Sequence, residues 1–196
     1  PDPEQAAAAA RLDALARELE HPRTTGLLRR RVVPARGVYL WGDVGRGKSM
    51  LMDLFYDQLH IQRKRRVHFH AFMLEVHDEM HRHRKTARQD DDTNVITHVA
   101  DWIADSTWLL CFDEFHVTDI TDAMILGRLF EALFARGVVV VATSNWPPDR
   151  LYEKGLQREL FLPFITMIKH TQPHQEIDHA HNPLDEVAYL QTTSIL

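Results

Sequence analysis

Eight consecutive residues, Gly42-Asp43-Val44-Gly45-Arg46-Gly47-Lys48-Ser49, restrict the possible folds of this chain more than any other stretch. An apolar run, Val38-Tyr39-Leu40-Trp41, leads into them, and Met50-Leu51-Met52-Asp53-Leu54-Phe55 follows. The order reads as strand, glycine loop, helix. Such a loop turns several backbone N–H groups inward, and the helix opening at Ser49 and Met50 adds the partial positive charge of its N-terminus, which together make a cradle for phosphate. Residue type then sets the chemistry. Lys48 is placed to reach the β- and γ-phosphates of a nucleoside triphosphate, and the Ser49 hydroxyl to ligate Mg²⁺. The predicted nucleotide contacts are Gly42, Asp43, Val44, Gly45, Arg46, Gly47, Lys48, Ser49 and Met50. Asp43, an anion within an anion-binding loop, is expected to point away from the phosphates.

A length of 196 residues suits one domain with a sizeable core, and 44% hydrophobic with 26% charged residues excludes disordered and collagen-like classes. The formal net charge of −5 argues against a protein whose main task is to neutralise nucleic-acid phosphates, despite the local basic segments Arg29-Arg30-Arg31 and Arg63-Lys64-Arg65-Arg66. No apolar run approaches the length of a membrane span, and the N-terminus has no signal-peptide pattern. Cys111, the lone cysteine, has no internal disulfide partner, which fits a reducing, cytoplasmic setting.

Along the chain, residues 5–20 read as an alanine-rich amphipathic helix with Leu12, Leu15 and Leu19 on one face. The alternation in Val67-His68-Phe69-His70-Ala71-Phe72 predicts the second strand after the basic connector, and a helix is expected over 73–88. His77 and His81 stand at a zinc-ligand spacing. The order His77-Asp78-Glu79-Met80-His81 lacks a glutamate beside the first histidine, so it reads as an ordinary helix face. A further helix is expected over 94–104, with Asp92 or Thr93 as its cap.

The third strand, Trp108-Leu109-Leu110-Cys111-Phe112, ends in Asp113-Glu114. A buried strand ending in two carboxylates downstream of a phosphate loop delivers Asp113 to the Mg²⁺ shell and leaves Glu114 to orient and polarise an attacking water. Asp119 caps the next predicted helix, which Gly137 closes. Val138-Val139-Val140-Val141-Ala142 does not alternate and so predicts a strand buried on both faces. Asn145, just past its end, is the candidate hydrogen-bond donor to the γ-phosphate or the lytic water. A helical turn is expected over 151–154 and a helix over 156–171. Arg158 is the candidate arginine finger. A short fifth strand is expected near 175–178, with no element beyond it, and the irregularly spaced His174, His179 and His181 do not read as a metal site.

Three stretches carry a family resemblance: Gly42 to Ser49; Cys111-Phe112-Asp113-Glu114-Phe115-His116-Val117-Thr118-Asp119-Ile120-Thr121-Asp122-Ala123-Met124; and Thr143-Ser144-Asn145-Trp146-Pro147-Pro148-Asp149-Arg150-Leu151-Tyr152, continuing through Gly155-Leu156-Gln157-Arg158 to Phe161-Leu162-Pro163-Phe164-Ile165. Over roughly residues 1–178 the chain resembles the ZapE cell-division ATPases and their mitochondrial Afg-one-like relatives. The resemblance implies an α/β P-loop NTPase of AAA+ type, with a five-stranded parallel sheet ordered 5-1-4-3-2 between helices. Lys48 and Ser49 would form Walker A, Asp113 and Glu114 Walker B, and Asn145 the first sensor; ATP and Mg²⁺ are the implied ligands.

The expected organisation is an N-terminal helix and linker over 1–36, a nucleotide-binding core over 37–178 and a tail over 179–196. The 24 residues from Pro173 to Leu196 fall short of the roughly 40 an independent helical lid requires, so that lid is expected to be largely absent. By family resemblance, the partners are an FtsZ-like division protein and further copies of the chain, which would supply Arg158 to one another. The expected location is the cytoplasm, with recruitment to the division site at the inner membrane, and no stable nucleic-acid binding is expected. A helicase-loader-like module that binds nucleic acid is the alternative. A GTPase switch is disfavoured because Asp113-Glu114-Phe115-His116 lacks the switch glycine and no Asn-Lys-x-Asp motif occurs.

Overall fold

The computed structural model describes residues 3–22, 24–25, 31–32, 35–45, 47–86, 92–169 and 191–194. In chain order these form α1 (Pro3–Glu20), β1 (Thr24–Thr25), β2 (Arg31–Val32), β3 (Val38–Trp41), α2 (Lys48–Gln58), β4 (Lys64–His68), α3 (Phe69–Thr86), α4 (Asp92–Ser106), β5 (Leu109–Asp113), α5 (Ile120–Ala135), β6 (Val139–Ser144), a 3₁₀ turn at Pro148–Arg150, α6 (Arg158–Lys169) and β7 (Gln191–Ser194). Strands β1 and β2 make a small antiparallel ladder, and the main sheet runs β4-β5-β6-β3-β7 with every neighbouring pair parallel. Counted from the strand before the glycine loop, this is the order 5-1-4-3-2.

Strand alternation divides the core into two layers. Tyr39, Leu110, Phe112, Val140 and Ala142 face one side, where α3, α4, α5 and α6 pack; Val38, Leu40, Leu109, Cys111, Val139 and Val141 face the other, against α1 and α2. The first layer is aromatic: Phe112, Phe115, Phe130 and Phe164 are all fully buried, and the Phe130 and Phe164 rings meet edge-on at 5.2 Å. The second layer is aliphatic, with Ala8, Leu12, Leu15 and Leu19 of α1 filling it beside Leu51, Met52 and Phe55 of α2. Burial in that second layer raises the pKa of the Cys111 thiol well above its ordinary value.

Three expectations need correction. The second strand is Lys64–His68, earlier than the alternation at 67–72 suggested, and Phe69 already begins α3. Phe69, Phe72, Met73, Val76 and Met80 are the buried face of that helix, and the spacing 69, 72, 73, 76, 80 has helical rather than strand period. The fifth strand is Gln191–Ser194, parallel to β3 in the register Val38↔Gln191, whereas 175–178 lies outside the described residues, as do His174, His179 and His181. Helix α4 starts at Asp92, so the predicted cap residues fall inside it. Asp119 caps α5, its carboxylate accepting from the Thr121 amide at 2.6 Å, and Gly137 follows that helix with φ 78°. His77 bridges helices, its Nε2 meeting Asp122 Oδ1 at 2.6 Å.

Candidate functional site

The site lies at the C-terminal edge of the parallel strands, where open α/β sheets place their ligands. Between β3 and α2 the backbone curls through Gly45 and Gly47, both at φ 81°, a left-handed conformation that side chains rarely adopt. Gly47 is also the N-cap of α2, which has no side-chain cap and no acidic residue in its first turn. The first-turn N–H groups of α2 therefore face an anion-compatible end of the helix. Lys48 is buried, and its Nζ donates to the carbonyl oxygens of Gly42 at 2.8 Å and Asp43 at 2.7 Å. Burial lowers its pKa, while the Asp43 carboxylate opposes that shift.

A cleft of about 350 Å³ opens over this loop, lined by Val44, Gly45, Gly47, Lys48, Ser49, Met50, Glu114, Thr143, Ser144 and Asn145. The fold thus brings Lys48, Ser49, Glu114 and Asn145 together from three loop and strand ends separated by many residues. Asp43 is exposed and is not among the lining residues, and Arg46 lies outside the described residues.

The turn after β5 separates its two carboxylates. Glu114 has φ 55°, a strained conformation for a residue with a Cβ, and its backbone is held there by Thr143. The Glu114 amide donates to Thr143 Oγ1 at 3.3 Å, and the Phe115 amide donates to the Thr143 carbonyl at 2.7 Å. Glu114 is left 81% exposed at the cleft, with His68 Nδ1 3.9 Å from its Oε2, while Asp113 is only 14% exposed. Both Asp113 oxygens accept from Arg66, Nε to Oδ2 at 2.7 Å and Nη2 to Oδ1 at 3.0 Å, and the same guanidinium also pairs with Asp53 of α2. These carboxylates raise the Arg66 pKa still further above its ordinary value. The Ser49 hydroxyl and the Asp113 carboxylate are hard oxygen donors of the kind Mg²⁺ prefers.

Sequence reasoning missed four residues here. Thr143 and Ser144 are buried polar groups at the β6 end, and Ser144 Oγ donates to the Phe115 carbonyl at 2.7 Å while accepting from the Trp146 amide at 3.1 Å. Arg66 and His68 were hidden by the misplaced strand. Once β4 is in register with β5, His68 stands beside Asp113 and Arg66 beside Cys111, two residues earlier on the face Asp113 shares. Arg158 does not line the cleft: it is the first residue of α6, where its Nη2 donates to the Asp149 carbonyl at 2.6 Å.

A parallel sheet of this order, with a glycine loop after β3 entering a helix and a carboxylate pair at the end of β5, separated from β3 by β6, defines a P-loop domain of AAA+ type. Domain III of the replication initiation protein DnaA from Thermotoga maritima has the same fold, with a TM-score of 0.57 at 14% identity over 98% of this chain and 63% of that one. The DnaC helicase loader matches with a TM-score of 0.50 at 11% identity, covering 98% of this chain and 92% of that chain. At these identities the likeness concerns fold alone. The AFG1-like ATPase family model matches residues 1–183, and the chain belongs to that family. The cell division protein ZapE of Escherichia coli is 50% identical over 185 residues, covering 86% of this chain and 48% of that protein. The chain therefore spans about half the length of this curated relative.

Proposed function

We propose that the chain binds ATP with Mg²⁺ in this cleft and hydrolyses it as the nucleotide-driven part of a cell-division factor. The observation that supports this most is the convergence of Lys48, Ser49, Glu114 and Asn145 on one cleft at the strand ends. In this reading, the backbone amides of Gly47, Lys48 and Ser49 at the start of α2 and the Lys48 ammonium hold the β- and γ-phosphates. Mg²⁺, held by Ser49 with Asp113, would neutralise charge developing on the phosphates. Glu114, exposed into the cleft on a backbone fixed by Thr143, takes a proton from the attacking water. The Asn145 amide hydrogen-bonds the γ-phosphate or that water.

Arg158, which does not line the chain's own cleft, is the residue a neighbouring copy would contribute, so self-association belongs to the proposal. The proposed role in division is supported by similarity to a protein named for cell division, and an FtsZ-like partner is proposed from the family resemblance of the sequence motifs. Among the described residues no helix is long and apolar enough to cross a membrane. By the same family resemblance, the proposed location is the cytoplasm, with recruitment to the division site at the inner membrane.

The nucleic-acid alternative loses one of its supports. Arg63 and Lys64 donate to backbone carbonyls, Arg65 pairs with Glu75, and Arg66 with Asp113 and Asp53, so the segment is spent internally rather than presented as a phosphate-binding patch. Release of phosphate from ATP tests the reading. We expect Glu114→Gln to lower turnover at least ~100-fold while nucleotide binding persists. Turnover near wild type in that variant would overturn the assignment of Glu114. Specific activity that rises with protein concentration is expected of a shared site, and activity independent of dilution would remove Arg158 from it.

A further inference from the structure

Arg66 grips Asp113, the carboxylate that the proposed function assigns, together with Ser49, to the metal. Its strand lies beside β5, and the register puts Arg66 opposite Cys111, so its side chain leaves the sheet on the α2 side together with that of Asp113, two residues on. On α2, Asp53 stands one turn beyond Ser49, on the same helical face. The guanidinium sits between these two carboxylates: it grips both oxygens of Asp113, at 2.7 and 3.0 Å, and also pairs with Asp53. Arg66 is 25% exposed and Asp113 14%, so the pair is only partly screened by water. A carboxylate whose two oxygens already serve an arginine fork has lost the lone pairs best placed for a cation entering beside Ser49.

We propose that the Arg66 guanidinium competes with Mg²⁺ for the Asp113 carboxylate oxygens, so that Arg66 sets the Mg²⁺ concentration at which the nucleotide site fills. The inference rests on the reading of the cleft as an ATP–Mg²⁺ site. A purely structural Arg66 predicts the opposite sign, because loosening the strand end would weaken metal binding rather than strengthen it.

The test is a Mn²⁺ titration of the whole chain with a non-hydrolysable ATP analogue, following bound metal by its paramagnetic resonance and foldedness by circular dichroism. Arg66→Gln should lower the half-saturating Mn²⁺ concentration at least fivefold. Arg66→Lys, which keeps the charge but loses the fork, should fall between Gln and wild type. An unchanged or raised requirement in Arg66→Gln overturns the proposal. Should that variant fail to fold, Arg66→Lys decides alone: a requirement below wild type supports the competition, and one equal to or above it overturns it. If wild type takes up no analogue at any Mn²⁺ concentration, the ATP–Mg²⁺ reading falls as well. Uptake by wild type with an unmoved Arg66→Gln removes only the role of Arg66.

Discussion

Strands β4 and β6 flank β5 on either side, yet they accommodate their surroundings in opposite ways. Strand β6 excludes charge: all six residues from Val139 to Ser144 are buried, and its only polar groups, Thr143 and Ser144, sit at the tip where they hold the turn after β5. Strand β4, at the sheet edge, carries three consecutive cations and neutralises them with partners from elsewhere. Lys64 reaches carbonyls at the end of α2, Arg65 reaches Glu75, and Arg66 reaches Asp113 and Asp53. Charged edge strands resist pairing with other chains, so the composition of β4 suits its place. A central strand is made by what it leaves out, and this edge strand by what it finds.

The sharpest way to break that contrast is to put a charge where β6 has none. Val141→Asp at a fully buried position should destabilise the fold by more than about 4 kcal/mol and leave no cooperative thermal transition. A folded variant would mean that β6 tolerates charge much as β4 does. Lys64→Ala removes a bond of 2.9 Å to the Leu59 carbonyl, a second to Tyr56 and a cation–π contact at 4.3 Å, and should cost about 1–2 kcal/mol in chemical denaturation. Arg65→Ala breaks a pair 32% and 43% exposed and should cost less than about 1 kcal/mol, vanishing at high salt. A loss as large as that for Lys64 would show that the β4 cations act as one network.

Lys48 refines the comparison, because it is a buried cation satisfied by carbonyls alone. Its folded-state pKa is depressed by burial, so the unfolded chain holds the proton more tightly, and the penalty for burying the charge eases as pH rises toward the ordinary lysine value. The thermal midpoint of wild type relative to Lys48→Met should therefore shift upward between pH 8 and about pH 10.5. A downward shift would contradict the sign.

The same contrast explains what was legible in the sequence. Strand β6 and the glycine loop declared themselves because their requirements are local: an unbroken β-branched run, and glycines at fixed spacing before a helix. Lys48, Ser49, Glu114 and Asn145 could be assigned to one cleft because each ends or follows such an element. Strand β4 was misplaced because Lys64, Arg65 and Arg66 are stabilised by Tyr56, Glu75 and Asp113, residues that only the folded chain brings near. Val67, Phe69 and Ala71 imitate strand alternation across the point where α3 begins. Strand β7 was missed because Gln191-Thr192-Thr193-Ser194 has no apolar run, and its ladder depends on β3, far away in sequence. The paired role of Arg66 and the hold of Thr143 on Glu114 were invisible for the same reason.

The central claim is that the loop before α2 and the strand ends beside it grip a nucleoside triphosphate together. Isothermal titration calorimetry with ATP and Mg²⁺ on wild type, Lys48→Ala and Glu114→Gln tests it most directly. Uptake by wild type and Glu114→Gln, with none by folded Lys48→Ala, is the predicted result. No uptake by folded wild type, or equal uptake by Lys48→Ala, would contradict it.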